Sequence, residues 1–160
     1  MIYIFTGDIR TGKTQSILAL CGNRIDVGGF LSPDEDEGRV ILRLRDRHII
    51  PFEVEESAAA VIRVGRFNFL EAAFAESANW TMEDAKSEDI RFVVLDELGK
   101  LELKDEGYHD LILDLLKIDW SNKNLILVIR DFLLDELVSK YGLQSAALVL
   151  KHQLSKIFVE

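Results

Sequence analysis

Unbroken apolar runs alternate along the chain with stretches whose apolar positions return every third or fourth residue. Ile2 to Phe5, Phe92 to Leu95 and Leu125 to Ile129 are continuous runs, and Ala146 to Leu150 is a weaker one near the end. Runs of this kind belong to parallel strands covered on both faces. Between them, Gln15 to Leu20 reads as the start of a helix. Phe69, Leu70, Ala73, Phe74 and Ala78 form one helical set, and Leu111, Ile112, Leu115 and Leu116 another. Each set lays its apolar side chains on one face. Asp131 to Lys140 is a further helix candidate, stopped by Gly142. This alternation predicts an α/β fold around a mostly parallel sheet.

One departure follows the first helix. Val27 to Ser32 and Arg39 to Leu44 are strand-like runs separated by Pro33 to Gly38, an acidic turn reading P-D-E-D-E-G. They predict an inserted antiparallel β-hairpin. Arg43, Arg45 and Arg47 recur at every second residue and would share one face of its second strand. That face is either solvated and paired with local acids or a contact to a nucleotide or partner. Phe52 to Glu56 and Ala60 to Val64 are two more extended runs.

The chemistry begins where the first run ends. Gly7, Asp8, Ile9, Arg10, Thr11, Gly12, Lys13 and Thr14 read G-D-I-R-T-G-K-T, a complete G-x-x-x-x-G-K-[ST] phosphate-binding loop between a strand and a helix. Such a loop wraps a polyphosphate with backbone N–H groups, so side chains are excluded where the main chain must come close. Gly7 permits the sharp exit from the strand and Gly12 the close approach. The amides of Lys13, Thr14 and Gln15 would open the helix, where unpaired donors and the helix dipole favour an anion. Lys13 would reach the β- and γ-phosphates and the Thr14 hydroxyl would ligate Mg²⁺.

A second motif lies far along the chain. The run Phe92 to Leu95 ends in Asp96 and Glu97, the pattern of a Walker B strand. Ligands in open α/β sheets sit beyond the carboxyl ends of the strands, so Asp96 would hold Mg²⁺ directly or through water. Glu97 would orient or deprotonate an attacking water. Arg130 closes the run Leu125 to Ile129. If that strand neighbours the loop strand, Arg130 faces the γ-phosphate; a salt bridge to Asp131 or Asp135 is the alternative.

Composition narrows the class. The chain has 160 residues, 48% hydrophobic and 29% charged, which fits one domain over residues 1–160. A net charge of -9 argues against a nucleic-acid backbone as the main partner. Cys21 is the only cysteine and sits in an apolar helical stretch, as a buried structural thiol would. His48, His109 and His152 are isolated, without zinc-site spacing. The first residues show no signal-peptide pattern and no run reaches membrane-spanning length, so a cytoplasmic, membrane-free protein is expected.

The phosphate loop, Gly28 to Phe30 (G-G-F), Val64-Gly65 and above all D-E-L-G-K-L-E-L at Asp96 to Leu103 together resemble the small THEP-type nucleoside-triphosphatase family. The resemblance implies a P-loop NTPase three-layer fold and a nucleotide site built from Gly7 to Thr14 and the Asp96 to Leu103 segment, Gly99 and Lys100 included. It also implies Mg²⁺-dependent hydrolysis of ATP, GTP or other ribonucleoside triphosphates with loose base preference. Lys100 and Glu102 fall on signature positions, either as an ion pair fixing the loop to the sheet or with a role at the phosphates. Two other classes stay open: a small-molecule kinase, with Arg63 and Arg66 toward an acceptor, and a slow nucleotide-dependent switch. The residues identify no protein partner.

Overall fold

The computed structural model describes residues 1–7, 12–55 and 59–159. In chain order, β1 (Ile2–Gly7) and α1 (Lys13–Cys21) lead into β2 (Val27–Leu31), β3 (Asp34–Glu35), β4 (Gly38–Arg43) and β5 (Ile49–Pro51). A small separate sheet holds β6 (Glu53–Val54), β7 (Val61–Val64) and β8 (Phe67–Leu70), and α2 (Glu71–Lys86) follows. Then come β9 (Phe92–Leu98), α3 (Lys100–Leu103), α4 (His109–Leu115), β10 (Asn124–Arg130), α5 (Leu134–Tyr141), β11 (Ala147–Val149) and α6 (Leu154–Ile157).

The main sheet has the order β11-β1-β10-β9-β2-β4-β3, with β5 on β4. From β11 to β2 every neighbouring pair is parallel. Side chains of these strands alternate between two cores. Ile4, Val93, Leu95, Leu125, Leu127 and Ile129 pack with Phe74 and Trp80 of α2, Ile112 and Leu115 of α4 and Leu137 of α5. Phe5, Phe92, Val94, Ile126 and Val128 pack on the other side with Ile17 and Cys21 of α1 and Leu154 and Ile157 of α6. Period-two alternation on a sheet buried on both faces therefore yields the three layers and explains why the runs are unbroken. Cys21 is fully buried, and burial pushes its thiol up to about 11, away from reactivity at neutral pH. Among the described residues, no helix is long and apolar enough to cross a membrane.

The antiparallel hairpin forms, with Phe30 opposite Arg43 and Leu31 opposite Leu42. Its first arm is more than an insertion, because β2 also pairs in parallel with β9. The glycines of G-G-F make that position possible. Gly29 has φ +80, and a Cβ there would stand 2.0 Å from the Val94 carbonyl oxygen; at Gly28 it would meet Asp84 Cβ at 2.6 Å. Asp84 is fully buried and accepts the Gly29 N–H at 2.9 Å, while Arg43 and Arg45 approach its other oxygen at 3.1 and 3.3 Å.

The arginine alternation is thereby corrected. Only Arg43 lies on β4; Arg45 and Arg47 belong to the turn beyond it, Arg47 with φ 64 and a hydrogen bond to the Gly22 carbonyl. The acid that holds Arg43 and Arg45 comes from α2 and is buried, not from a solvated face. Asp84→Ala leaves Arg43, whose side chain is 12% exposed, without its closest partner. The expected loss is about 3 kcal/mol of unfolding free energy, read by chemical denaturation. Phe69 and Leu70 are corrected too. They lie on β8, and the Leu70 amide bonds to the Phe52 carbonyl, so α2 starts only at Glu71.

Candidate nucleotide site

β1, β10 and β9 are parallel neighbours and deliver their carboxyl ends to one edge, with Gly7 beside Arg130 and Val128 beside Asp96. Of the predicted loop, Asp8, Ile9, Arg10 and Thr11 lie outside the described residues. Gly12 is left-handed, φ 76 and ψ 31, a conformation glycine adopts without a Cβ penalty, and it caps the start of α1. Its carbonyl accepts the Ser16 N–H at 2.8 Å, which turns the chain into the helix at once. Lys13 is 8% exposed, and its ammonium donates to the Gly7 carbonyl at 3.1 Å. Gln15 is exposed on the first turn of α1.

The two motifs meet directly. The Thr14 hydroxyl donates to Asp96 Oδ2 at 2.8 Å across 82 residues of sequence, and the Ser32 amide donates to the same oxygen at 3.0 Å. Both bonds favour the carboxylate. Burial outweighs them, and the adjacent Glu97 adds to it, so Asp96 is pushed up to about 6. Ser32 was not anticipated from the sequence. The available signal was its place just past the buried run of β2, at the carboxyl edge where ligands bind.

Between Val128 and Ile129 of β10 the register with β9 shifts, so that Glu97 is the extra residue of a bulge. A bulge re-aims a side chain at the end of a strand. Glu97 Oε1 accepts from Arg130 Nε at 2.6 Å, the two side chains being 18% and 33% exposed. Arg130 therefore stands beside the loop strand, and its partner is Glu97 instead of Asp131 or Asp135.

The rest of the signature segment is structural in part. Lys100 is exposed and forms no ion pair among the described residues, so of the two readings the Lys100–Glu102 ion pair is not found. Glu102 is 3% exposed and accepts the Gly99 N–H at 2.8 Å, pinning the turn after β9. Its other oxygen lies against Gly107, where a Cβ would stand 2.4 Å away. The Tyr141 hydroxyl donates to its backbone carbonyl at 3.1 Å and also meets His109 Nδ1 at 2.7 Å. Burial pushes Glu102 up to about 7, against the Gly99 and Tyr108 amides.

Because the folded protein holds this proton more tightly than the unfolded chain, the protonated side chain's advantage is full below about pH 4.5. It is lost as pH rises through about 7. The loss amounts to roughly 3 kcal/mol at most. Glu102→Gln lacks this titration. Thermal melts of the variant and parent from pH 5 to 8 should show the variant gaining relative stability as pH rises.

A divalent cation fits this edge. The Thr14 hydroxyl and the Asp96 carboxylate are hard oxygen donors, as is the Ser32 hydroxyl, which is buried without a hydrogen-bond partner among the described residues. Among the described residues no group of three or more His, Cys, Asp or Glu could hold a metal alone. One carboxylate with phosphate oxygens and water is the donor set suited to Mg²⁺.

Comparison with known proteins bears on the family and the fold. The model of the NTPase family matches residues 2–153. The crystal structure of THEP1 from the hyperthermophile Aquifex aeolicus is similar with a TM-score of 0.69 at 23% identity, over 94% of this chain and 89% of that one. The solution structure of a human cancer-related nucleoside triphosphatase is similar with a TM-score of 0.72 at 17% identity, over 98% and 95% of the two chains. At these identities the two structures speak to the fold. No curated protein sequence matches the chain.

Proposed function

Since the chain belongs to the NTPase family, we propose that it is a Mg²⁺-dependent nucleoside-triphosphate hydrolase acting on ATP, GTP and related triphosphates with loose base preference. The observation that carries this reading is the 2.8 Å hydrogen bond from Thr14 to Asp96, which joins the end of the phosphate loop to the Walker B carboxylate. Lys13, now resting on the Gly7 carbonyl, releases it and takes the β- and γ-phosphates. The first-turn amides of α1 hold phosphate oxygens, Gln15 among them. Thr14 and Asp96 hold the cation, and Gly99 and Lys100 border the phosphates. When bound there, Mg²⁺ would supply positive charge that offsets the charge developing on the phosphates. Glu97, re-aimed by the bulge, accepts a proton from water beyond the γ-phosphate.

Phosphate release from ATP and GTP, with Mg²⁺ and with a chelator, tests the reading. Turnover should require the cation and proceed without any added hydroxyl acceptor. Turnover indifferent to chelation, or seen only with an acceptor, would end it.

A further inference from the structure

We propose that Arg130 exchanges partners during binding: without nucleotide it neutralises Glu97, and with triphosphate bound it moves to the γ-phosphate and releases the Glu97 carboxylate for water. The inference rests on the nucleotide-site reading above and extends it to how that site is switched on.

The geometry of the pair is the first argument. The contact runs through Arg130 Nε to a single oxygen, Glu97 Oε1, at 2.6 Å. A guanidinium has five N–H donors in a rigid fork. Its terminal nitrogens make no hydrogen bond or ion pair among the described residues, and the side chain is 33% exposed. A tridentate phosphoryl group can engage that fork bidentately, which a carboxylate held through Nε does not.

Position is the second. Arg130 is the strand partner of Gly7, the last residue of β1 before the phosphate loop. The ammonium of Lys13 rests on the carbonyl of that same Gly7. Two cations beside the end of β1 are thus held by acceptors of the protein itself. A bound triphosphate replaces both acceptors with stronger ones.

Charge is the third. Asp96 and Glu97 are consecutive carboxylates near the carboxyl end of β9. A γ-phosphate arriving beside them adds anionic charge at the place where Arg130 already neutralises one carboxylate. Partial exposure of both side chains keeps the desolvation cost of separating the pair low. Glu97, once released, presents both carboxylate oxygens to a water. The exchange therefore ties base activation to the presence of the third phosphate.

The test is equilibrium binding of a non-hydrolysable Mg²⁺ triphosphate analogue and of the Mg²⁺ diphosphate to the parent, Glu97→Gln, Arg130→Gln and the double variant. Arg130→Gln should weaken the triphosphate analogue roughly 10- to 100-fold, since a charged hydrogen bond is lost, and leave the diphosphate unchanged. Glu97→Gln should tighten the analogue several-fold because the competing carboxylate is gone. In the Arg130→Gln background that gain should vanish. Equal tightening in both backgrounds would show that Glu97 repels the phosphate directly, and the exchange would be overturned. Equal weakening of both nucleotides by Arg130→Gln would overturn it as well. Circular-dichroism melts report that each variant is folded. A parent that binds neither nucleotide removes the hydrolase reading together with the exchange, whereas a parent that hydrolyses triphosphate without this coupling removes the exchange alone.

Discussion

Lys13→Ala gives a folded protein whose Mg²⁺-triphosphate affinity and turnover fall by roughly 10²- to 10³-fold, the scale of losing one preorganised charge contact at a reacting phosphoryl group. Lys13 sits at the first position of α1, mostly buried, with its ammonium returned to the Gly7 carbonyl. That bond joins the last residue of β1 to the first of α1, outside the two apolar cores. Alanine at the first turn of a helix carries no propensity penalty. The fold should therefore survive while the point charge between the β- and γ-phosphates disappears. Titration with a fluorescent triphosphate analogue, alongside a circular-dichroism melt, measures both. A folded variant with parental affinity would end the phosphate-loop assignment.

What the sequence made legible follows from which interactions are local. The buried runs at Ile2 to Phe5, Phe92 to Leu95 and Leu125 to Ile129 became central strands because a sheet covered on both faces tolerates no polar alternation. Gly142 stopped α5 through a left-handed conformation that glycine adopts freely. The same local logic failed where a period outlived its element. Arg45 and Arg47 keep the spacing of Arg43, but β4 has ended. Phe69 and Leu70 keep a helical spacing to Ala73 and Phe74, but pairing with β6 and β7 claims them for β8. Asp84 was overlooked although a signal existed: Ser77, Thr81 and Asp84 continue the buried face of α2 with polar side chains. The Arg130–Glu97 pair was not legible, because it depends on β10 lying between β1 and β9, an order no short-range pattern encodes.

Strand order also gives Glu97 its decisive experiment. Glu97→Gln is isosteric, keeps an amide oxygen for Arg130 Nε and occupies a bulge position that is 18% exposed, so folding is retained. What it loses is the ability to take a proton. Removing a general base lowers the rate by roughly 10²- to 10⁴-fold while Lys13, the helix amides and the Thr14–Asp96 pair still hold the substrate. Single-turnover phosphate release should slow on that scale, with triphosphate binding at least as tight as the parent's. The sign of the two effects together is informative, since a variant damaged in folding loses binding and turnover alike. A kinase that uses an acceptor hydroxyl, or a switch with little turnover, places no such demand on a water-facing carboxylate. Hydrolysis at the parental rate would leave Glu97 as no more than the partner of Arg130, and the kinase and switch readings would then take precedence.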